Sequence, residues 1–415
     1  MKIKPIFLLL FVVGLYFSYG FFAYFQILIF GKVPFKSFFI KLSFIVLLFL
    51  SFLRKGVILR KDILSVVILI YLSYNIISFI ALGRFEYDLS YWIFSFLSQQ
   101  FWFFGVSLIY LFFSRVEKKT FVYIKNFLLF IFFLNFPIAL LQFMTNKTIL
   151  PVKSSDDYFK TMSFQFYDSI RAFGFMSSPL DFGLLSAMLY FIYLTELLFV
   201  RNPLREGIKK FFILILSIIG IYMSMTRNVI LLVILGTLFL ISLKRRAKLL
   251  LLIMPLLNFL ISIVLIILGS FVSGSYDVLK NHSLLMRLTE WSFFVNLVFE
   301  ASFCDKLMGM GIIQNDKFYI VNLPIDNLFL SILLYNGLLG LLLFLLLFLV
   351  LYYKFVKVLF FFIKERITTD YSVIIASGAF LSSFFAFSLF NNYYSFIYLF
   401  ILVPLLGLKL DWRQK

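Results

Sequence analysis

The sequence predicts an all-α, polytopic integral membrane protein that forms a single transmembrane domain over residues 1–415. Hydrophobic residues make up 63% of the chain and the mean hydropathy is +1.05, which is more apolar surface than a water-soluble core can bury. These residues fall into about twelve apolar runs, separated by segments in which charged residues are concentrated. Lipid offers no hydrogen-bond partner to the backbone, so each run is expected to form a helix.

The apolar runs define the predicted transmembrane helices. Several runs are close to the lower limit of roughly 17 residues for crossing a bilayer. The first run is longer than the apolar core of a signal peptide and lacks a small-residue cleavage site, which predicts an uncleaved first helix. In chain order, the predicted spans are 6–30, 38–53, 63–82, 93–113, 127–143, 182–200, 211–225, 228–243, 249–271, 327–351, 371–390 and 394–408.

Positive charge alternates between successive loops. One side of the chain holds both termini, 25 of the 38 Lys and Arg residues and 7 of the 19 acidic residues, a net charge of +18. The other side holds 13 basic and 12 acidic residues, a net charge of +1. Loops rich in Lys and Arg stay in the cytoplasm, so both termini are predicted to be cytoplasmic, and the charge requires no nucleic-acid partner. The predicted cytoplasmic loops are 54–62, 114–126, 201–210, 244–248 and 352–366.

Two predicted extracytoplasmic loops are long, 144–181 and 270–326, whereas every cytoplasmic loop is short. An active-site face formed by these two loops is therefore expected outside the membrane. Arg171 lies in the first loop, in the sequence IRAFGFMSSPLDFG. Gly174 permits close approach of the backbone and Pro179 ends regular structure, which predicts a shaped loop that re-enters the membrane surface. Charges near the hydrocarbon are typical of functional sites, although an arginine that reaches the lipid headgroups is the alternative.

Two more arginines are candidates for a functional role. Arg227 occupies a tight outer turn between the short runs 211–225 and 228–243, so it is expected near the hydrocarbon edge, either as a functional residue or as a topology marker. Arg287 precedes Glu290 by three residues, and the two can pair on one face of a helix. Apolar residues fall on most sides of that helix, which predicts packing on the outer surface of the protein. A structural and a functional role for Arg287 both stay open.

The remaining candidates are single residues. His282 is the one histidine of the chain and Cys304 its one cysteine, which excludes an intramolecular disulfide and any site built from several His or Cys ligands. For His282 a structural and a functional role both stay open. Asp326 and Asn327 follow Pro324 at the first turn of a predicted span. A carboxylate there can cap the start of the helix or have a functional role.

Several short motifs, in their order and in their common outward placement, resemble the O-antigen polymerase and ligase superfamily of bacterial envelopes. The resemblance covers roughly residues 168–345, and the hydropathy of the whole chain fits the same family. Each motif is short, so the order and the placement carry the resemblance. The motifs are Arg171-Ala172-Phe173-Gly174, Ser224-Met225-Thr226-Arg227, Arg287…Trp291, Gly309-Met310-Gly311, Asp326-Asn327-Leu328-Phe329-Leu330 and Asn336-Gly337-Leu338-Leu339-Gly340.

The resemblance implies a metal-independent glycosyltransferase, without a cofactor, in the bacterial inner membrane. Its donor and acceptor would be oligosaccharides linked to undecaprenyl pyrophosphate, and a chain-length regulator or a flippase would be candidate protein partners. Arg171 and Arg227 would be catalytic because a guanidinium binds a pyrophosphate leaving group in a bidentate manner. Asp326 would accept the proton of the acceptor hydroxyl. The candidate substrate-binding residues are Arg287, His282, Glu290, Asn327 and Gly174.

One departure from the family pattern favours a polymerase of O-antigen, capsule or exopolysaccharide. A ligase of this family commonly has His before the Asn of the motif at residues 326–330, whereas this chain has Asp326. The alternatives are an O-antigen ligase that transfers glycan to lipid A-core, a flippase or transporter of lipid-linked oligosaccharides, and a non-catalytic partner in envelope assembly. A transporter is expected to place charged residues or broken helices near mid-membrane, whereas the charged candidates here lie at the outer edge.

Overall fold

The computed structural model describes residues 62–82, 110, 119–147, 165–166, 169–176, 178–200, 203–270, 283–310, 327–364, 371–389 and 403–408. These residues are helical apart from short connections and one hairpin of two-residue strands, which confirms the predicted all-α class. The predicted spans 6–30 and 38–53 lie outside the described residues, as do most of 93–113 and 394–408.

Most of the described helices match predicted spans. Five of them are long and apolar enough to cross a bilayer, which supports a membrane protein. These five are Lys119–Thr145, Pro179–Phe199, Leu204–Ser224, Arg227–Lys244 and Leu328–Phe360. Strands β1 (Gln165–Phe166) and β2 (Ser169–Ile170) pair antiparallel. The helices are α1 (Ile63–Leu82), α2 (Lys119–Thr145), α3 (Pro179–Phe199), α4 (Leu204–Ser224), α5 (Arg227–Lys244), α6 (Lys248–Ser270), α7 (Ser283–Glu300), α8 (Phe303–Met308), α9 (Leu328–Lys364), α10 (Ser372–Leu389) and α11 (Val403–Leu408).

The helix boundaries correct two expectations about the first outer loop. Helix α2 extends to Thr145, and α3 begins at Pro179, so the predicted loop 144–181 is shorter at both ends. Pro179 therefore starts a helix, although the sequence suggested that it would end regular structure. Ser178 is the N-cap, and its hydroxyl oxygen accepts a hydrogen bond from the backbone N–H of Asp181. Proline is favoured at the first helical position because its missing N–H would have no intrahelical partner there.

The second predicted loop, 270–326, contains two helices, α7 and α8. One face of α7 is buried, because Trp291 and Phe294 pack against Leu330 and Leu334 of α9. The face of α7 that contains Trp291 and Phe294 is its contact face with α9. The expected packing of α7 on the outer surface of the protein stays a prediction.

Helix α3 is the centre of the described bundle. Sixteen of its 21 residues are buried, and it packs against α2, α4, α5 and α10. Small residues allow α3 and α4 to approach closely. A Cβ atom added to Gly183 would come within 2.7 Å of the Ser224 hydroxyl oxygen, and one added to Gly220 within 2.5 Å of the Ser186 hydroxyl oxygen. Close contact through small residues is a common basis of helix association in membranes.

One end of the bundle, called the basic end, contains the lysines of three predicted cytoplasmic loops. Glu196 of α3 is fully buried there, with the Nζ atoms of Lys125 and Lys210 at 2.7 Å and 3.0 Å from its carboxylate. The Ser372 hydroxyl donates a third contact to Glu196 at 3.0 Å. A buried carboxylate requires such pairing, so Glu196 joins α2, α3, α4 and α10.

A second ion pair at the basic end joins α1 to α9. The Nζ atom of Lys354 lies 3.1 Å from a carboxylate oxygen of Asp62, and the Tyr110 hydroxyl donates to the same oxygen at 2.9 Å. Asp62 also accepts the backbone N–H of Ser65 in the first turn of α1. Partial burial opposes ionisation of Asp62, but hydrogen bonds from Ser65, Lys354 and Tyr110 outweigh it and lower the pKa of Asp62 to about 2.

A proline inside α6 creates a further contact with α9. Pro255 has no N–H, so the carbonyl of Leu251, four residues earlier, loses its helical donor. The Tyr352 hydroxyl of α9 donates to this carbonyl instead. The exchange satisfies a buried acceptor and fixes α9 beside α6.

Candidate functional site

The segment that contains Arg171 is a non-helical loop between β2 and α3. Its side chains Ala172, Phe173 and Met176 are buried, and Arg171 itself is half-buried. Irregular backbone among membrane helices is tolerated only where it is enclosed by protein and its polar groups are satisfied. The loop is therefore part of the packed interior, and its re-entry into the membrane surface stays a prediction.

Two side chains of α2 satisfy the backbone of this loop. The Gln142 Oε1 atom accepts the N–H groups of Phe173 and Gly174 at 3.0 Å and 2.9 Å. The Gln142 Nε2 group donates to the carbonyl of Gly174 at 3.1 Å. The Asn135 Oδ1 atom accepts the N–H of Phe175 at 2.8 Å. Four backbone groups in three successive residues are thus bound by two buried carboxamides.

Gly174 is suited to its position in this loop for two reasons. Its φ angle is +62°, in the left-handed region that residues with a Cβ atom rarely adopt. A Cβ atom there would also come within 2.8 Å of the Asn135 Oδ1 atom. The prediction that Gly174 allows close backbone approach is confirmed, and its contact is with α2. Its predicted contact with substrate stays a prediction.

Arg227 is the first residue of α5 and follows a tight turn. Met225 adopts the left-handed conformation with φ +47°, and its N–H bonds back to the carbonyl of Tyr222. The Thr226 hydroxyl donates to the carbonyl of Ser224, which closes the turn further. The predicted tight turn is therefore present. Arg227 is exposed, and the first turn of α5 contains no acidic residue.

The structure brings the two arginine segments together. The backbone N–H of Ala172 donates to the carbonyl of Met223 at 3.0 Å, so the residue after Arg171 is bonded to the end of α4. Gly183 of α3 packs against Ser224 and Val229 on either side of the same turn. The sequence separates Arg171 and Arg227 by 56 positions, and the fold joins the segments that contain them through the hydrogen bond between Ala172 and Met223.

Sequence reasoning missed one acidic residue close to these segments. Asp181, in the first turn of α3, is 1% exposed. It lies two positions before Gly183, which contacts the turn that precedes Arg227. The sequence Ser178-Pro179-Leu180-Asp181 is a helix-start signal, with a capping serine three residues before an acid, and it could have indicated this position. Asp181 is therefore an additional candidate residue of the site.

A second group of predicted residues lies at the start of α9. The Asn327 Oδ1 atom accepts the N–H groups of Phe329 and Leu330 at 3.0 Å and 3.1 Å, so Asn327 caps this helix and is fully buried. Asp326 lies outside the described residues. The capping role considered for Asp326 stays a prediction. The role of Asp326 as a base and that of Asn327 in substrate binding stay predictions.

Helix α9 is broken nine residues after its start. Gly337 has φ +67° and ψ −172°, and a Cβ atom there would overlap the backbone of Leu307 and Gly309. Gly309 also has a positive φ of +93°, and the N–H of Met310 donates to the carbonyl of Leu334 at 2.7 Å. Two family-like motifs, Gly309-Met310 and Asn336-Gly337, are therefore in direct backbone contact.

Polar residues of α1 hold this break in place. The Tyr74 hydroxyl donates to the carbonyl of Asn336 at 2.6 Å, and the Asn336 side chain donates to the carboxamide oxygen of Asn75. The Ser78 hydroxyl donates to the carbonyl of Met308 at 3.1 Å. Both Asn75 and Asn336 are buried. The break is therefore a satisfied polar junction of α1, α8 and α9.

For the remaining predicted residues, the structure gives at most the helix to which each belongs. Arg287 and Glu290 belong to α7, the helix that packs on the start of α9 through Trp291. His282 lies outside the described residues. Among the described residues, no group of three or more His, Cys, Asp or Glu side chains could hold a metal ion.

Comparison with protein-family models, with curated proteins and with solved structures found no match for this chain.

Proposed function

We propose that this chain is a polysaccharide polymerase of the bacterial inner membrane. It moves a glycan from undecaprenyl pyrophosphate onto another lipid-linked oligosaccharide repeat unit, in the synthesis of O-antigen, capsule or exopolysaccharide. The observation that supports this most is the hydrogen bond from Ala172 to Met223, since it joins the Arg171 and Arg227 segments at one end of the bundle. Two guanidinium groups extending from adjacent backbone suit a ligand with two phosphate groups.

The reaction replaces one glycosidic bond with another. The acceptor hydroxyl oxygen bonds to the anomeric carbon of the donor, the bond from that carbon to the pyrophosphate oxygen breaks, and the hydroxyl proton goes to a base. Negative charge develops on the leaving pyrophosphate, and fixed cations in a partly dry site stabilise it. Arg171 is half-buried, and Arg227 stands at a helix start, where the backbone itself has a positive potential. Asp326 is the proposed base.

The proposed topology has twelve spans, with both termini in the cytoplasm and the loops 144–181 and 270–326 outside. The contacts at the basic end support this arrangement. Lys125, Lys210 and Lys354 come from three different loops that the charge pattern assigns to one side of the membrane. Two of these lysines contact the same buried carboxylate of Glu196. Ala172, in the loop before α3, and Met223, near the end of α4, belong to the predicted outer side.

A flippase is the second candidate, and one observation favours it. Transporters bind substrates at interrupted helices, and α9 is interrupted at Gly337 beside the buried residues Asn75 and Asn336. At 1.5 Å per residue, a break nine residues into a helix lies roughly 13 Å below its start, close to the middle of a hydrocarbon core of about 30 Å. The polymerase is preferred because the Arg171 and Arg227 segments meet at a place separate from the junction of α1, α8 and α9.

Deleting the gene in its host and separating the surface glycan on a gel tests the proposal. If the gene encodes a polymerase, its deletion is expected to leave single repeat units on the surface, and the ladder of longer chains should disappear. The gene with Arg205→Ala, an exposed arginine at the start of α4, should restore the ladder as a control. Glycan of all lengths stranded on the lipid carrier would indicate a ligase. Complete loss of surface glycan would indicate a flippase, and either result would contradict the proposal.

A further inference from the structure

Gln142 binds the loop that follows Arg171 as a strand neighbour would. Its carboxamide accepts two successive N–H groups and donates to one carbonyl, all within residues 173–174. The side chain is fully buried on α2, and it reaches a segment 31 positions further along the chain. Asn135 accepts the next N–H, that of Phe175. Gln142 and Asn135 together form a carboxamide clamp on the loop.

A carboxamide is well suited to this set of contacts. It offers an acceptor and a donor side by side, whereas a carboxylate only accepts and an ammonium only donates. Leaving a buried backbone group without a partner costs about 1–3 kcal/mol, and this cost is not relieved by water among membrane helices. The loop conformation therefore depends on the identity of the residue at position 142.

The clamp fixes Arg171 from one side while the end of α4 fixes it from another. Phe173, two residues after Arg171, is bonded to Gln142, and the intervening Ala172 is bonded to Met223. The backbone that follows the guanidinium therefore has two successive residues attached to two different helices. A rigid support of this kind is what an arginine needs to bind a phosphate group in one geometry.

We propose that Gln142 is a positioning residue for the pyrophosphate leaving group, acting through the backbone of residues 172–174 on Arg171. This inference rests on the proposed function, since it assigns the clamp to the donor side of the transfer reaction. Gln142 touches no reacting atom. Its effect on catalysis is to hold Arg171 in place, and a displacement of about 1 Å can lower a rate 100-fold.

The first test measures transfer by the full-length protein in liposomes. Its donor and acceptor are the lipid-linked repeat unit extracted from the deletion strain. Gln142→Met keeps the length and the apolar stem but removes all three hydrogen bonds, and kcat/KM is expected to fall about 100-fold. Gln142→Glu keeps the acceptor for Phe173 and Gly174, so an intermediate rate is expected. The matched control is Thr145→Val, on the same helix, because the Thr145 hydroxyl bonds only to the carbonyl of Leu141 among the contacts described.

The second test measures the loop itself and needs no substrate. Met176 is 1% exposed, so Met176→Cys in a Cys304→Ser background is expected to resist a water-soluble maleimide. Adding Gln142→Met should expose the thiol and raise the labelling rate at least tenfold, whereas adding Thr145→Val should leave the rate unchanged. If Gln142→Met does not accumulate in the membrane, Gln142→Glu takes its place in both tests.

The outcomes separate this proposal from the proposed function. Equal labelling of Met176→Cys with and without the position-142 variant would overturn the clamp, whatever the parent protein catalyses. Faster labelling together with an unchanged kcat/KM would overturn the positioning role. A parent protein that transfers no glycan would contradict the proposed function, and the labelling test would still decide whether Gln142 holds the loop. Faster labelling together with a lower kcat/KM supports the proposal.

Discussion

At the scale of single residues, Arg171 and Arg227 have different surroundings. Arg171 is half-buried in a loop held by two helices, and Arg227 is exposed at the start of α5. A guanidinium in a less hydrated place is harder to replace, because an ammonium is a compact, strongly hydrated charge without the planar fork. The two positions should therefore respond differently to substitution by lysine.

We predict that Arg171→Ala and Arg227→Ala each abolish polymerisation while the protein still reaches the membrane. Arg227→Lys should recover part of the activity, and Arg171→Lys should recover less. The repeat-unit transfer assay measures the activity of all four variants. Arg205→Ala is the control for loss of an exposed arginine. Normal polymer from the alanine variants at normal expression would remove both residues from the mechanism.

Sequence reasoning found the arginines but missed the residues that support them. A charge near the hydrocarbon is conspicuous because its burial is costly, so Arg171 could be recognised from sequence alone. Gln142 and Asn135 lie inside the apolar run 127–143, where an uncharged amide has no sequence signal of its own. Their role follows from contacts 31 to 40 positions away along the chain, which local patterns do not encode. Asp181 is different, because the local helix-start signal Ser178-Pro179-Leu180-Asp181 could have indicated it.

At the scale of elements, the hydropathy pattern located the helices and misplaced several of their ends. Helix α2 begins at Lys119, eight positions before the predicted span, and α9 continues to Lys364, well beyond 351. Two lysines in these extensions have tertiary partners, since Lys125 pairs with Glu196 and Lys354 pairs with Asp62. A hydropathy window ends a helix at the first charges, whereas tertiary ion pairs allow the helix to continue.

The break in α9 gives the prediction at this scale. Gly337→Ala must place a Cβ atom against the backbone of Leu307 and Gly309, in a conformation that costs a non-glycine residue about 1–3 kcal/mol even without the overlap. We expect a lower melting temperature in detergent and loss of polymer. Gly207→Ala is the matched control, because a Cβ atom there meets no other atom within 4 Å. Alanine is also the better helix former, so this variant should melt at or slightly above the parent temperature.

A Gly337→Ala protein that melts with the parent would show that α8 and α9 can separate without loss of stability. The junction with Asn75 and Asn336 would then be a movable contact, as the flippase alternative requires. The same measurement therefore bears on both functions proposed for the chain.

At the scale of the whole molecule, the described helices have two chemically different ends. The basic end collects lysines around two carboxylates, Glu196 and Asp62. The opposite ends of α2, α3 and α4 meet the buried Arg171 loop and the turn before Arg227. This difference between the two ends agrees with the charge pattern of the loops. The charge pattern can be read from sequence alone, because the positive-inside rule depends on loop composition and not on tertiary contacts.

The orientation of these two ends in the membrane can be tested by cysteine labelling. In a Cys304→Ser background, Ser155→Cys and Ser275→Cys lie in the predicted outer loops, outside the described residues, and should react with a membrane-impermeant maleimide in intact cells of the host. Leu204→Cys, at the basic end, is the control, since Leu204 is 84% exposed and should react only after the inner membrane is opened. The expectation follows from the charge split of +18 against +1, which strongly disfavours the reverse insertion. Labelling of Leu204→Cys in intact cells, with Ser155→Cys and Ser275→Cys protected, would place Arg171 and Arg227 in the cytoplasm. Lipid-linked repeat units outside the membrane could not reach them there, and the proposed transfer reaction would fail with the topology.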